Sequence, residues 1–256
     1  MRNLLGFLCV CAVGVFPLIG CGDNNDGDGG SGGTGGSAGM GGTGGTGGVN
    51  TASVTVLITG FDPAQGGFLG PLEGVEICID DSTDCAMTDA AGGATLDVPV
   101  DQELSATFVK EGFAPYLIPA VISEQPEVFT LGMASLERWE FLHDLLTSPF
   151  PLDGTGDIIV VSDPGFAGAT LDLSGVTGNL FYYGEDGNWA PGLTATTSYG
   201  WGGFTEASPG EAQVELGGTA TNCEATTGWP GDVANSFRTP VRAGFFSEIV
   251  VSCDTP

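Results

Sequence analysis

The sequence predicts an all-β protein: two tandem antiparallel β-sandwiches joined by a short helix and carried behind a glycine-rich linker. Three observations lead there. From residue 53 onward, apolar and polar residues alternate in short runs, with turn-forming residues about every ten positions, the pattern of half-buried strands in a sandwich. One stretch near residue 140 instead repeats its apolar residues every three or four positions, as a helix does. Between residues 22 and 50 there is no apolar period.

The N-terminal element is an address. Arg2 precedes an apolar run from Leu4 to Ile19, long enough for the core of an export signal and short of the roughly 20 residues that span a bilayer. The run ends in "LIGC" at Cys21, which resembles the lipobox of bacterial lipoproteins. That resemblance implies a signal peptide over residues 1–20 and lipid attachment at Cys21, so the membrane becomes a partner through acyl chains, each buried methylene contributing about 0.8 kcal/mol. Gly22 in the next position, where an aspartate would signal retention, implies the outer membrane or cell surface of a Gram-negative bacterium.

Residues 21–52 follow as a disordered tether. They hold 15 of the chain's 45 glycines and offer too little side-chain surface to offset the entropy of ordering. A coil of about 29 such residues spans roughly 30 Å, enough to hold a domain clear of lipid head groups. "NNDGDG" at Asn24–Gly29 alternates oxygen-bearing side chains as a calcium loop does but lacks the closing glutamate, so the expectation there is solvated linker.

Charge narrows the partners. The chain has 32 acidic and 5 basic residues, with Lys110 the single lysine. Such a balance repels phosphate backbones, so nucleic acid is excluded as a partner. A solvated acidic surface accounts for it.

The first sandwich is expected over residues 53–131, opening with "SVTVLITGF", where Val54, Val56 and Ile58 share a face. "GVEICID", "ATLDVPV" and "ELSATFV" follow, separated by turns. "GVEICIDDSTDCAMTDAAGGATLDVPVDQELSATFVKEGFAPYLIP" resembles carboxypeptidase regulatory-like domains through Gly74, Thr88, Asp89, Pro99, Lys110, Gly112 and Phe113, with Gly92 or Gly93 as the turn glycine. This resemblance implies a transthyretin-type, Ig-like sandwich of seven strands, usually a non-catalytic accessory.

Residues 132–154 form the connector, with "ASLERWEFLHDLL" helical and Leu136, Trp139, Leu142 and Leu146 on its apolar side. A second, divergent sandwich of the same type is expected over 155–256. Shifted by 110 positions, Gly93, Thr95, Pro99 and Leu104 fall on Gly203, Thr205, Pro209 and Val214.

Of seven cysteines, Cys9 and Cys11 leave with the signal and Cys21 takes lipid. Four remain in an oxidising compartment and allow three pairings. Separation by module favours Cys78 with Cys85 and Cys223 with Cys253. No Cys-x-x-Cys or histidine cluster accompanies them, so neither metal nor cofactor is expected.

His143 is the one histidine, which removes most hydrolase and metal designs. Glu140 three residues earlier gives half of a di-iron helix pair, and no second half exists; the expectation is a polar histidine on a connector. Asp80, Asp81 and Asp84, and Asp153 with Asp157, could hold calcium at loops, although solvated turn acids are the commoner case. Tyr182, Tyr183, Trp189, Tyr199 and Trp201 form the candidate aromatic binding set, although core filling is the commoner role for such a run. The function expected is therefore non-enzymatic, a lipid-anchored envelope protein whose sandwiches bind protein or glycan or serve envelope structure, with no obligate oligomer implied. The alternative is a surface glycan hydrolase using paired carboxylates.

Overall fold

The computed structural model describes residues 50–62, 67–124 and 127–254. The signal, Cys21 and nearly all of the expected tether lie outside the described residues. In chain order the elements are β1 (Thr51–Asp62), β2 (Gly67–Pro71), β3 (Glu76–Ile79), β4 (Cys85–Met87), β5 (Gly93–Pro99), β6 (Glu103–Val109), β7 (Tyr116–Val121), β8 (Glu127–Ala134), α1 (Leu136–Leu146), β9 (Gly156–Ser162) and β10 (Ala169–Ser174). They continue with β11 (Asn179–Tyr183), β12 (Trp189–Ala190), β13 (Trp201–Ala207), β14 (Gly210–Gly218), β15 (Thr221–Thr227), β16 (Trp229–Pro230), β17 (Ser236–Val241) and β18 (Phe246–Asp254). Among the described residues the protein is all-β apart from α1, and from residue 50 onward they form one compact unit.

Period-two patterning decides the faces. On β1, Ala52, Val54, Val56 and Ile58 are buried while Ser53 and Leu57 are exposed, as alternate sides of a pleated strand require. β1 is central in its sheet, with β5 antiparallel along Thr51–Leu57 and β8 parallel along Val54–Phe61. β3, β6 and β7 form the opposing layer.

The second half repeats this plan. β9 is flanked by β13 antiparallel and by β18 parallel, and β10, β14 and β17 supply the opposing layer. Gly93 pairs with Leu57 and Gly203 with Ile159; Thr130 pairs with Leu57 and Glu248 with Ile159. By register, Leu57 corresponds to Ile159 and Thr130 to Glu248.

The connector helix is not the sole link between halves. β18 also pairs with β7 through Phe246–Tyr116 and Ser247–Leu117, which fuses strands of both halves into one ten-stranded sheet. The β1 sheet packs on one face of this long sheet and the β10–β14–β17–β16 sheet on the other, giving two hydrophobic cores. Arg242 pairs with Asp80 at 2.7 Å, and Arg238 bridges Glu103 and Glu211, adding polar staples between the halves.

Helix α1 starts where Ser135 accepts the Arg138 N–H at 3.3 Å, an N-cap satisfying one of the first turn's free donors. It ends at Thr147 in the left-handed region. Its buried residues are Trp139, Leu142 and His143. Leu136, expected on the apolar side, is instead exposed, and His143 lies on the buried side.

One irregularity positions the site. Phe204 pairs with Ile158 and Ala207 with Gly156, so Thr205 and Glu206 together oppose the single residue Asp157. This is a β-bulge, which leaves a ladder N–H without its usual partner and re-aims a side chain.

Candidate functional site

The disulfides are Cys78–Cys85, across the β3–β4 hairpin, and Cys223–Cys253, tying β15 to β18. The first closes the Asp80–Asp84 turn, but Asp80 and Asp84 are already used and Asp81 is exposed. Asp80 accepts from Ser105 and Arg242, and Asp84 accepts from Ser82 Oγ at 2.7 Å. Asp153 is exposed while Asp157 is buried, so the second suggested calcium pair does not converge. Among the described residues, no group of three or more metal-ligating side chains clusters.

The candidate aromatics are mostly core. Tyr182, Tyr183 and Trp189 are 0%, 4% and 2% exposed, so in this structure they fill space and do not present a binding face. Tyr199 stacks on Tyr183 at 5.6 Å, and Trp201 meets both rings edge-on. Tyr199 and Trp201 alone among the five are half-buried. Burial also raises the Tyr183 phenol well above its ordinary value.

His143 is not a surface residue. It and Asp157 are each 0% exposed, and His143 Nε2 lies 2.8 Å from Asp157 Oδ2. The other carboxylate oxygen, Oδ1, accepts the Glu206 backbone N–H at 3.2 Å. Asp157 therefore satisfies the donor that the β-bulge leaves over and at the same time holds α1. Burial raises its pKa, opposed by the bond to His143. Phe150, Trp189 and Phe246 surround the imidazole, sealing the pair from water. Glu140, the imagined second ligand, points outward.

Glu248 is the other unusual acid. Solvent reaches it, yet its carboxyl has no hydrogen-bond or ion-pair partner among the described residues. Burial alone pushes its pKa up to about 7. By register Asp157 is its diagonal neighbour on the same face of β9, but that carboxylate is fully buried and bonded to His143, whereas paired-carboxylate hydrolysis needs two acids about 5 to 10 Å apart that both reach substrate.

An open pocket lies where α1 ends beside the bulge, lined by Leu146, Thr147, Ser148, Asn179, Leu180 and Glu206, among others. Glu206 Oε1 accepts from Asn179 Nδ2 at 2.9 Å and from Ser148 Oγ at 3.3 Å. Sequence reasoning did not find Glu206, Glu248 or the His143–Asp157 pair. One signal existed for the first: the 110-residue shift places Glu206 on Leu96, a buried strand residue.

No protein-family model matches the chain, and no curated protein does. Among solved structures, it is similar to the Bacillus anthracis TIE protein at 11% identity and TM-score 0.28, over 80% of this chain and 34% of that one. It is also similar to GBS52, a minor pilin of Streptococcus agalactiae, at 13% identity and TM-score 0.27, covering 80% of this chain and 96% of that one. The shaft pilin SpaA of Lactobacillus rhamnosus GG matches at 12% identity and TM-score 0.24, over 80% and 99% of the two chains. The fold assignment above rests on strand order and on the two cores.

Proposed function

We propose that this is a lipid-anchored, non-enzymatic envelope protein that presents fused, transthyretin-type sandwiches for binding. The observation that carries the non-enzymatic reading is the sealed pair. The chain's one histidine is 0% exposed and bonded to a carboxylate that is also 0% exposed, an arrangement that fixes a helix to a bulge and gives substrate no access. Glu248 has a raised pKa, and the acid diagonal to it on the same face, Asp157, is sealed by His143, so the two do not present a paired-carboxylate site. Anchoring rests on the "LIGC" segment ending at Cys21, and two disulfides fit an exported location. The outer-membrane assignment rests on Gly22; lipid anchoring through Cys21 does not depend on which membrane holds it.

Fractionation with labelled palmitate tests the anchor. Cys21→Ala should lose label and leave the membrane fraction, and unchanged membrane association would overturn lipid anchoring. A glycan-hydrolysis panel tests the class, since activity abolished in Glu248→Gln would make the protein an enzyme.

A further inference from the structure

We propose that the pocket between the C-terminus of α1 and the β13 bulge binds a lysine-type ammonium group presented by a partner protein. The inference rests on the binding reading above and supplies its chemistry.

Backbone strain singles out the place. Six described non-glycine residues have positive φ: Asp81, Asp101, Asn222, Asn235, Thr147 and Glu206. Aspartate and asparagine adopt that region comparatively readily, whereas threonine and glutamate do so far less. Thr147 has φ 54° and Glu206 φ 53°, and both line this one pocket. Residues held in sparsely populated conformations cluster at ligand clamps, where surrounding structure fixes them. Here the fixing is visible, because Asp157 Oδ1 accepts the Glu206 N–H while its Oδ2 is held by His143.

Hydrogen-bond accounting sets the ligand's class. Asn179 donates one Nδ2 proton to Glu206, leaving one N–H and the Oδ1 acceptor. Ser148 Oγ donates to Glu206 and Thr147 Oγ1 donates to Leu146 O at 2.6 Å, so both hydroxyls have spent their protons and keep lone pairs. Glu206 Oε2 has no partner among the described residues. The side-chain capacity left over is thus largely acceptor capacity, beside the negative end of a helix. A ligand must bring donors and positive charge, as an ammonium with three N–H groups does. Leu146, Pro191 and Leu180, which is 47% exposed, offer apolar surface for its methylene stem. A single carboxylate is too few for a calcium site. A second copy of this chain offers a single lysine, Lys110, which is half-buried and donates one of its N–H groups to Glu73 O at 2.7 Å.

The test titrates the ¹⁵N-labelled full chain with N-acetyl-lysine methylamide, N-acetyl-norleucine methylamide or calcium chloride, following amide shifts by NMR. The lysine probe should give saturable shifts at Thr147, Ser148, Asn179, Gly192 and Thr205, and the norleucine probe should give none. Glu206→Gln should weaken the lysine probe at least tenfold. Glu206→Gly, which removes the carboxylate while accommodating the positive φ, should bind no better. Absent shifts, equal shifts from norleucine, unchanged binding in Glu206→Gln, or saturation of the same amides by micromolar calcium would each overturn the proposal. Such a failure leaves the palmitate and hydrolysis outcomes unaffected, so it is separable from failure of the anchored-binding reading.

Discussion

The outer face of the first β1–β5–β8 sheet and the matching face of β9–β13–β18 share one topology and have opposite surroundings. In the first half, Leu57 and its partner Thr130 face solvent. In the second half the equivalent positions are Ile159, which is core, and Glu248, which is largely covered. Two residues before Leu57 stands Thr55, and two before Ile159 stands Asp157, fully buried. The difference is what lies on top. α1 and the Phe181–Tyr183–Trp189 cluster cover the second face, so groups at ordinary outer positions become covered acids, Asp157 fully and Glu248 in part. One of them is stabilised by a histidine and a bulge amide. The other has no partner, and its pKa rises.

The largest effect is expected at the covered face. His143→Ala removes one partner of a fully buried pair and leaves Asp157 desolvated, which costs about 3–5 kcal/mol. Urea unfolding should show that loss. Thr55→Ala, at the uncovered equivalent, should change stability by under about 0.5 kcal/mol. Similar effects at both sites would mean the covering does not control the energetics.

The two disulfides differ in the loops they close. In the chain-entropy model, Cys223–Cys253, with sequence separation 30, contributes about 3.6 kcal/mol, and Cys78–Cys85, with separation 7, about 2.4 kcal/mol. Paired Cys→Ala variants should therefore separate by about 1 kcal/mol, with the second half losing more. The reverse order would show that hairpin geometry outweighs loop entropy.

A pH series then isolates Glu248. Its folded pKa of about 7 lies above the ordinary 4.5 because burial disfavours the charged form, so the folded state holds this proton more tightly than the unfolded chain. The contribution is fully present below about pH 4.5 and is lost as pH rises through about 7. With some solvent access discounted, the loss is on the order of 2 kcal/mol. Wild-type stability should fall across that window, and Glu248→Gln should flatten the fall. An unchanged slope in the variant would place the titration elsewhere.

How far the sequence reached follows from the same contrast. Strands, turns and the helix were legible because period-two and period-3.6 patterns report which face is wet, and Val54, Val56 and Ile58 do so on β1. Both disulfides were legible from the division of the cysteines between the two modules. His143–Asp157 and Asp157–Glu206 were not, since they lie 14 and 49 positions apart and depend on a bulge that periodicity does not encode. The aromatic run reads as core filling ahead of a binding face, and Tyr182, Tyr183 and Trp189 are buried because they alternate across a sheet whose two faces are both covered. That covering comes from fusion through β7 and β18, a pairing between halves that no local pattern announces.

The smallest expected effect is the most specific. Glu206 and Leu96 stand 110 positions apart on corresponding strands, yet Leu96 sits in unbroken register opposite Val54 while Glu206 lies in the bulge with φ 53°. Leu96→Gly removes a buried side chain and should cost at least the 2–5 kcal/mol of a core leucine truncation. Glu206→Gly removes a side chain bonded only at the pocket rim to Asn179 and Ser148, and it relieves a conformation costing about 1–3 kcal/mol. Greater freedom in the unfolded chain takes back about 0.5–1 kcal/mol, and the lost rim bonds offset part of the remainder. The net expectation is between no change and about 1 kcal/mol of stabilisation. Denaturation midpoints with unchanged slopes would measure it. A loss above about 2 kcal/mol at position 206 would mean that the glutamate is retained for stability, and the strain argument for a ligand pocket would lose its footing.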